Sequence, residues 1–419
     1  MFVFLIVAIR FTNSETVLIL PDDREAIEHK RLDRENNAYY TMVEAAIALP
    51  QRPQPKSEPD REKPQFKTLY SPLRNSMGAL VGVTRPDDHP DFLQYLRDAG
   101  PALYIAESML EKEYFLYEYP VVNQHHRLTL PPPIDLQPVF AVWLAYGNAQ
   151  ALFWNEGDKC TETFSNIFLA RRLTSKQIPF GYPGQYRWND YYKTLMAIVR
   201  KTDDINTIDN IQEMLEAQPL PFDDMVSVLH SVLLMFDDTL DTPATLEKRG
   251  TGLDMGPDDH LYLMFVQKAA LFIRDELSAL EELAPKPVTE YSRWLESNDW
   301  ASVPFATYMD AHFILGAMRV LEAAHRANAM QTITLLVIAV ERYQKDNGQY
   351  PPELEDLIPK YIDAAPLSPA TLAPLQYERF EDSYAIFDQE IKYFGYDGKL
   401  SGTRLVEYVT KKDFPEFTE

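Results

Sequence analysis

A chain of 419 residues, 46% hydrophobic and 25% charged, has the composition of a globular protein and length for about two or three domains. Its 40 basic and 63 acidic residues leave a net charge of -23, which opposes binding to nucleic acid or to anionic lipid headgroups, both polyanions. The single cysteine, Cys160, excludes an intramolecular disulfide and a cysteine-rich zinc site.

Residues 1–9, MFVFLIVAI, form an apolar run closed by Arg10. A bilayer span needs ~20 apolar residues, and the run has neither a basic start nor a small-residue cleavage site. Three readings stand: the tail of an anchor that begins upstream, a weak uncleaved anchor, or a buried β-strand. Residues 23–49 predict a charged, then amphipathic helix with Tyr39, Met42, Val43, Ala46 and Ile47 on one stripe. Residues 50–65, rich in proline and charge, read as an extended linker.

Two helices are expected at 92–96 and 102–119, and Pro131-Pro132-Pro133 marks a rigid break. Residues 136–156 predict an apolar helix turned by Gly157-Asp158 into a partner running through Leu173. The Ala149 to Asp158 run resembles a tetratricopeptide turn, although no strict 34-residue period is visible. The helical series continues over 191–200, 205–217, 222–236, 261–283, 288–300 and 303–328, with a long loop at 237–257. A spine helix is expected over 308–336, with Gly316 its one weak position.

Asp237-Asp238-Thr239-Leu240-Asp241, closing an apolar helix that contains His230, resembles the aspartate-rich motif of prenyl diphosphate synthases. Carboxylates one turn apart can hold magnesium against a diphosphate, so a magnesium-dependent prenyl or diphosphate enzyme is one alternative. Against it, no second such motif follows, and Asp-Asp pairs recur at 22, 87, 203, 223 and 258 as ordinary caps and solvated helix ends. The adjacent His125 and His126 lack a carboxylate at ligand spacing and read as an exposed pair. Gly250-Thr251-Gly252 lacks the third glycine of a dinucleotide loop, and Cys160 reads as a small buried residue. No catalytic or cofactor-binding residue is assigned.

Residues 336–362 are the most legible stretch. Leu336, Val337, Val340 and Tyr343 recur at helical spacing, and Asn347-Gly348 should end the helix in a left-handed cap. Pro351 and Pro352 forbid continuation, after which Leu354, Leu357 and Ile358 predict the buried face of a short second helix ended by Pro359. The run ERYQKDNGQYPPELEDLIPKYI, with Pro374 to Tyr377 and Ile391 to Gly398, resembles the major pseudopilins of type II secretion, relatives of type IV pilins, over roughly residues 330–402. The layout, including Asn36 to Tyr40, is similar to bacterial envelope proteins that place such a module behind a helical region. That resemblance implies closing strands, an N-terminal membrane anchor and a calcium site at Asp397, although 398–406 contain no carboxylate. A glycine-enabled turn with Asp397 bonding its own backbone is the competing reading. Asp310, Arg319, Glu322, His325 and Arg326 bar this helix from a membrane, so a soluble module that does not assemble into a pilus is expected.

The expected protein is mainly α, with stacked, solenoid-like helical hairpins and a small α+β pseudopilin-like C-terminal module. Its parts are 1–22, an anchor or apolar strand; 23–66, helix and linker; 67–302, the hairpin domain; and 303–419, the long helix and module. The expected role is a non-enzymatic interaction or scaffold protein of the bacterial cell envelope, tethered to the inner membrane, facing the periplasm and binding a protein or peptide. An intracellular, cytoplasmic structural protein is the third alternative.

Overall fold

The computed structural model describes residues 33–50, 90–115, 137–154, 156–175, 182–230, 277–297, 305–388, 390–394, 400–404 and 407–409. Within them the chain is mainly helical, with small antiparallel sheets near the C-terminus.

The first helix is positioned by capping. Asp33 accepts hydrogen bonds from the backbone of Glu35 and Asn36, and Asn37 then caps α1 (Ala38–Ala48) by accepting from the Tyr39 amide at 3.1 Å. Residues 33–37 therefore form a turn and cap where the sequence suggested helix. Ala38, Tyr39, Thr41, Met42 and Ala45 face the core, whereas Ile47 of the expected stripe is 73% exposed. The rotation has a tertiary cause: the Ala38 amide donates to Tyr114 O and the Glu113 amide to Asn36 O, clamping the start of α1 to residues 113–115.

α2 (Pro90–Asp98) and α3 (Gly100–Glu107) follow, and a 3-10 turn, Ser108–Glu111, ends the helix well before the expected 119. α4 (Gln137–Leu152) and α5 (Gly157–Ser175) fold back on each other across a short connection, as their sequence suggested. Gly157 belongs to α5 rather than the turn. A β-carbon there would collide with the Thr207 hydroxyl of α7, so glycine permits close helix approach. α6 (Tyr182–Lys201) and α7 (Ile205–Ala217) complete this layer, and Asp204 caps α7 by accepting from the Asn206 amide.

After a helical turn at 225–230 come α8 (Leu277–Leu283), α9 (Val288–Ser297) and the 43-residue α10 (Phe305–Asn347), which passes through Gly316 unbroken. α10 packs mainly on α6 and also on α7 and α9. Its amide side chains satisfy backbone groups that would otherwise be orphaned. Asn328 exchanges two hydrogen bonds with Phe222, and Gln331 donates to Leu215 O and Gln218 O while accepting from the Tyr192 hydroxyl. One apolar core extends from Ala38 to Ile386, so helices and strands share it.

α10 ends as its residues dictate, with Gly348 at φ 72 and its amide bonded to Gln344 O. The expected second helix is a single 3-10 turn, Leu354–Leu357. Leu354 and Leu357 are buried, but Ile358 already has extended backbone and is 37% exposed. β1 (Gln376–Arg379), β2 (Tyr384–Phe387) and β5 (Glu407–Val409) form one antiparallel sheet in the order β1-β2-β5; β3 (Glu390–Phe394) pairs with β4 (Leu400–Arg404).

Candidate functional site

Buried polar groups concentrate where α10 meets neighbouring helices and the strand region. At the first joint, Glu341 of α10 is 4% exposed amid the apolar Leu336 to Val340 run. The Tyr384 hydroxyl of β2 donates to its Oε1 at 2.8 Å, and Arg200 Nε of α6 lies 3.5 Å from the same oxygen. Lys345 Nζ donates to Thr202 O, closing α6 onto α10. Burial raises the Glu341 carboxyl above its usual range, against the pull of Tyr384, Arg200 and Lys345. Tyr350 stands edge-on to the Tyr384 ring, and the Tyr377 hydroxyl donates to Pro351 O. The residues after Gly348 are thereby seated on the strands.

At the second joint, His325 of α10 is 4% exposed, with Nε2 2.8 Å from the Tyr291 hydroxyl of α9 and 3.3 Å from Ala284 O. Burial holds this ring at about 4, although the Ala284 and Pro369 carbonyls favour the proton. Glu322, one turn earlier, pairs with Arg326. At the third, Asp388 is fully buried and accepts from the Ser368 hydroxyl at 2.9 Å and the Thr371 hydroxyl at 3.0 Å. Burial raises its carboxyl, and the two hydroxyls oppose the rise. Each joint is a hydrogen bond between a buried titratable side chain and a hydroxyl from another part of the chain.

Asp397 lies outside the described residues, as do Asp237, Asp238, Asp241, His125, His126, Gly250 to Gly252 and the run at 1–9. His230, which precedes the aspartate cluster, meets Glu281 of α8 at 2.6 Å. Cys160 is fully buried, and burial pushes its thiol up to about 12, consistent with the small buried residue expected. Among the described residues, no group of three or more His, Cys, Asp or Glu is placed to hold a metal, and no helix is long and apolar enough to cross a membrane.

Sequence reasoning missed Glu341, Tyr384, Arg200, Tyr291, His325, Ser368 and Asp388 as a set. The one available signal was a lone glutamate on the apolar side of a helix, immediately after Leu336 to Val340. Comparisons with family models, with curated proteins and with solved structures found no match to this chain.

Proposed function

We propose that the chain is a non-enzymatic interaction or scaffold protein of the bacterial cell envelope, tethered to the inner membrane and facing the periplasm. Its body of stacked hairpins binds a protein or peptide partner, and its C-terminal part is a soluble pseudopilin-like module. The order of long helix, glycine cap, short hook and small antiparallel strands supports the module reading. The observation that carries the interaction role lies on α1 and α3, which pack on each other. Ile47 on α1 is 73% exposed and Tyr104 on α3 is 76% exposed, the largest values among the exposed large apolar side chains described. Tyrosine suits an interface because it joins a rigid apolar ring to a polar tip at low entropic cost.

A photo-crosslinking side chain at position 104, introduced into the full chain in its native cells, tests this directly. The expected result is one discrete adduct with another protein, recovered with the membrane fraction. Recovery in the soluble cytoplasm without an adduct, or catalytic turnover of a small molecule by the pure protein, would refute it.

A further inference from the structure

We propose that the outer edge of β1 is a strand-addition site, which takes up an extended, basic segment of another protein as one more antiparallel strand.

The pairing of β1 with β2 decides where each β1 residue points its main chain. In an antiparallel pair, residues alternate between bonding the neighbouring strand and turning their N–H and C=O away from it. The Phe380 amide donates to Ser383 O at 2.8 Å, and the register sets Glu378 opposite Ala385 and Gln376 opposite Phe387. Gln376, Glu378 and Phe380 therefore bond towards β2, and Tyr377 and Arg379 turn their main-chain groups to the outer edge. The alternation continues upstream, where the Leu375 amide donates to Pro366 O at 3.1 Å and Ala373 O accepts from the Ser368 amide at 2.9 Å. Residues 366–368 thus already cover the first half of this edge, running antiparallel through the Leu367–Pro374 bridge. The second half has no such cover: among the described residues, none bonds the main-chain groups of Tyr377 or Arg379 from outside the β1–β2 pair. Two N–H and two C=O groups stand there in strand geometry, the arrangement that templates a further strand.

A second copy of this chain is a poor occupant. Antiparallel self-pairing must join residues of the outward-facing set. Centred on Glu378 it sets two carboxylates opposite each other, and centred on Arg379 two guanidiniums. Centred on Tyr377 it drives the incoming strand into residues 366–368, which hold Leu375. Parallel pairing in register brings the same like charges together.

Charge and shape at the edge specify the occupant instead. Gln376, Glu378 and Phe380 share one face and are exposed, Phe380 by 42%, and the exposed Glu381 and Asp382 lie in the bend beyond them. Arg379, the one basic residue of β1, lies on the other face, across from the buried Tyr384. In an added strand the residues opposite Glu378 and Phe380 belong to non-hydrogen-bonded pairs, whose side chains approach closest. The fitting segment carries lysine or arginine opposite Glu378 and an apolar residue opposite Phe380, two positions apart. Running in the direction of 366–368, it ends against Pro366. The net charge of -23 draws a basic segment to the molecule as a whole. This site is independent of the α1–α3 surface.

NMR on the full chain with the capped peptide Thr-Val-Thr-Lys-Thr-Thr tests the edge, valine being placed for Phe380 and lysine for Glu378. At about ten times its dissociation constant, the peptide should slow exchange of the Tyr377 and Arg379 amides about tenfold, while the Glu378 amide, directed at β2, changes little. N-methylation of the two threonines flanking the lysine removes the donors that face the edge and should weaken binding at least about tenfold. Replacing the peptide lysine by glutamate should weaken it similarly, and Glu378→Lys should reverse that preference. Failure of the lysine peptide to protect the two amides would overturn the site. Equal binding of the N-methylated peptide would do so too, since charge attraction without strand pairing would then explain the contact. Slow exchange of both amides in the free chain would mean that the edge is already covered, by a second copy where the protection falls on dilution, and would equally overturn it.

Discussion

Where α4, α5 and α6 meet, the core is aromatic; where α10 meets the strands, it is polar. Trp188 stacks on Tyr192 and meets Phe168 and Tyr191 edge-on, and all four rings are 0–1% exposed. Glu341 is almost as buried, yet it is held by one tyrosine hydroxyl and one guanidinium from separate elements. The first region depends on filled volume, with the buried Arg171 guanidinium lying 5.9 Å from the Tyr191 ring centroid. The second depends on matched donors and acceptors, so it responds to protons. One apolar core thus contains a part sensitive to shape and a part sensitive to pH.

The largest effect should come from emptying the aromatic side. Trp188→Ala should cost about 3–5 kcal/mol by denaturant titration, with the pH dependence of stability unchanged. A change in that dependence would break the contrast. On the polar side, Glu341→Ala leaves Tyr384 and Arg200 facing an apolar gap and should cost about 2–3 kcal/mol. Glu341→Gln keeps an acceptor for Tyr384 and should cost about 1 kcal/mol at acidic pH.

The sign of the pH effect at Glu341 follows from burial, which raises its folded pKa. The folded state then holds the proton more tightly than the unfolded state does. This contribution favours folding most strongly below the ordinary glutamate value and is lost as pH rises through the raised one. Glu341→Gln should remove that decline; an identical stability profile against pH in both proteins would place the titration elsewhere. A separate pair of variants tests helix approach. Gly157→Ala should cost about 1–3 kcal/mol through collision with the Thr207 hydroxyl, and adding Thr207→Ala should restore most of it. Additive losses in the double variant would show that the two sites do not touch.

Local chemistry made much of the helical layout legible. The 205–217 helix has the bounds its sequence suggested because Asp204 is a side-chain cap and the apolar spacing persists to Leu215. The α4–α5 pair followed from two apolar runs divided by a short polar connection, and the end of α10 from Asn347-Gly348. The candidate joints were not legible. Glu341 is 43 positions from Tyr384, and His325 is 34 from Tyr291, separations that leave no periodic trace.

By itself the sequence determined the α4–α5 pair, the bounds of α7 and the end of α10, because capping, glycine and apolar spacing act within a few residues. Tertiary structure decided which face of α1 turns inward, by clamping its start to residues 113–115. It also reduced the hook after Gly348 to one 3-10 turn. Above all, it brought Glu341 and His325, two unremarkable polar residues on a long helix, to partners on other elements. Burial then raises the Glu341 carboxyl and lowers the His325 ring, because desolvation penalises charge of either sign.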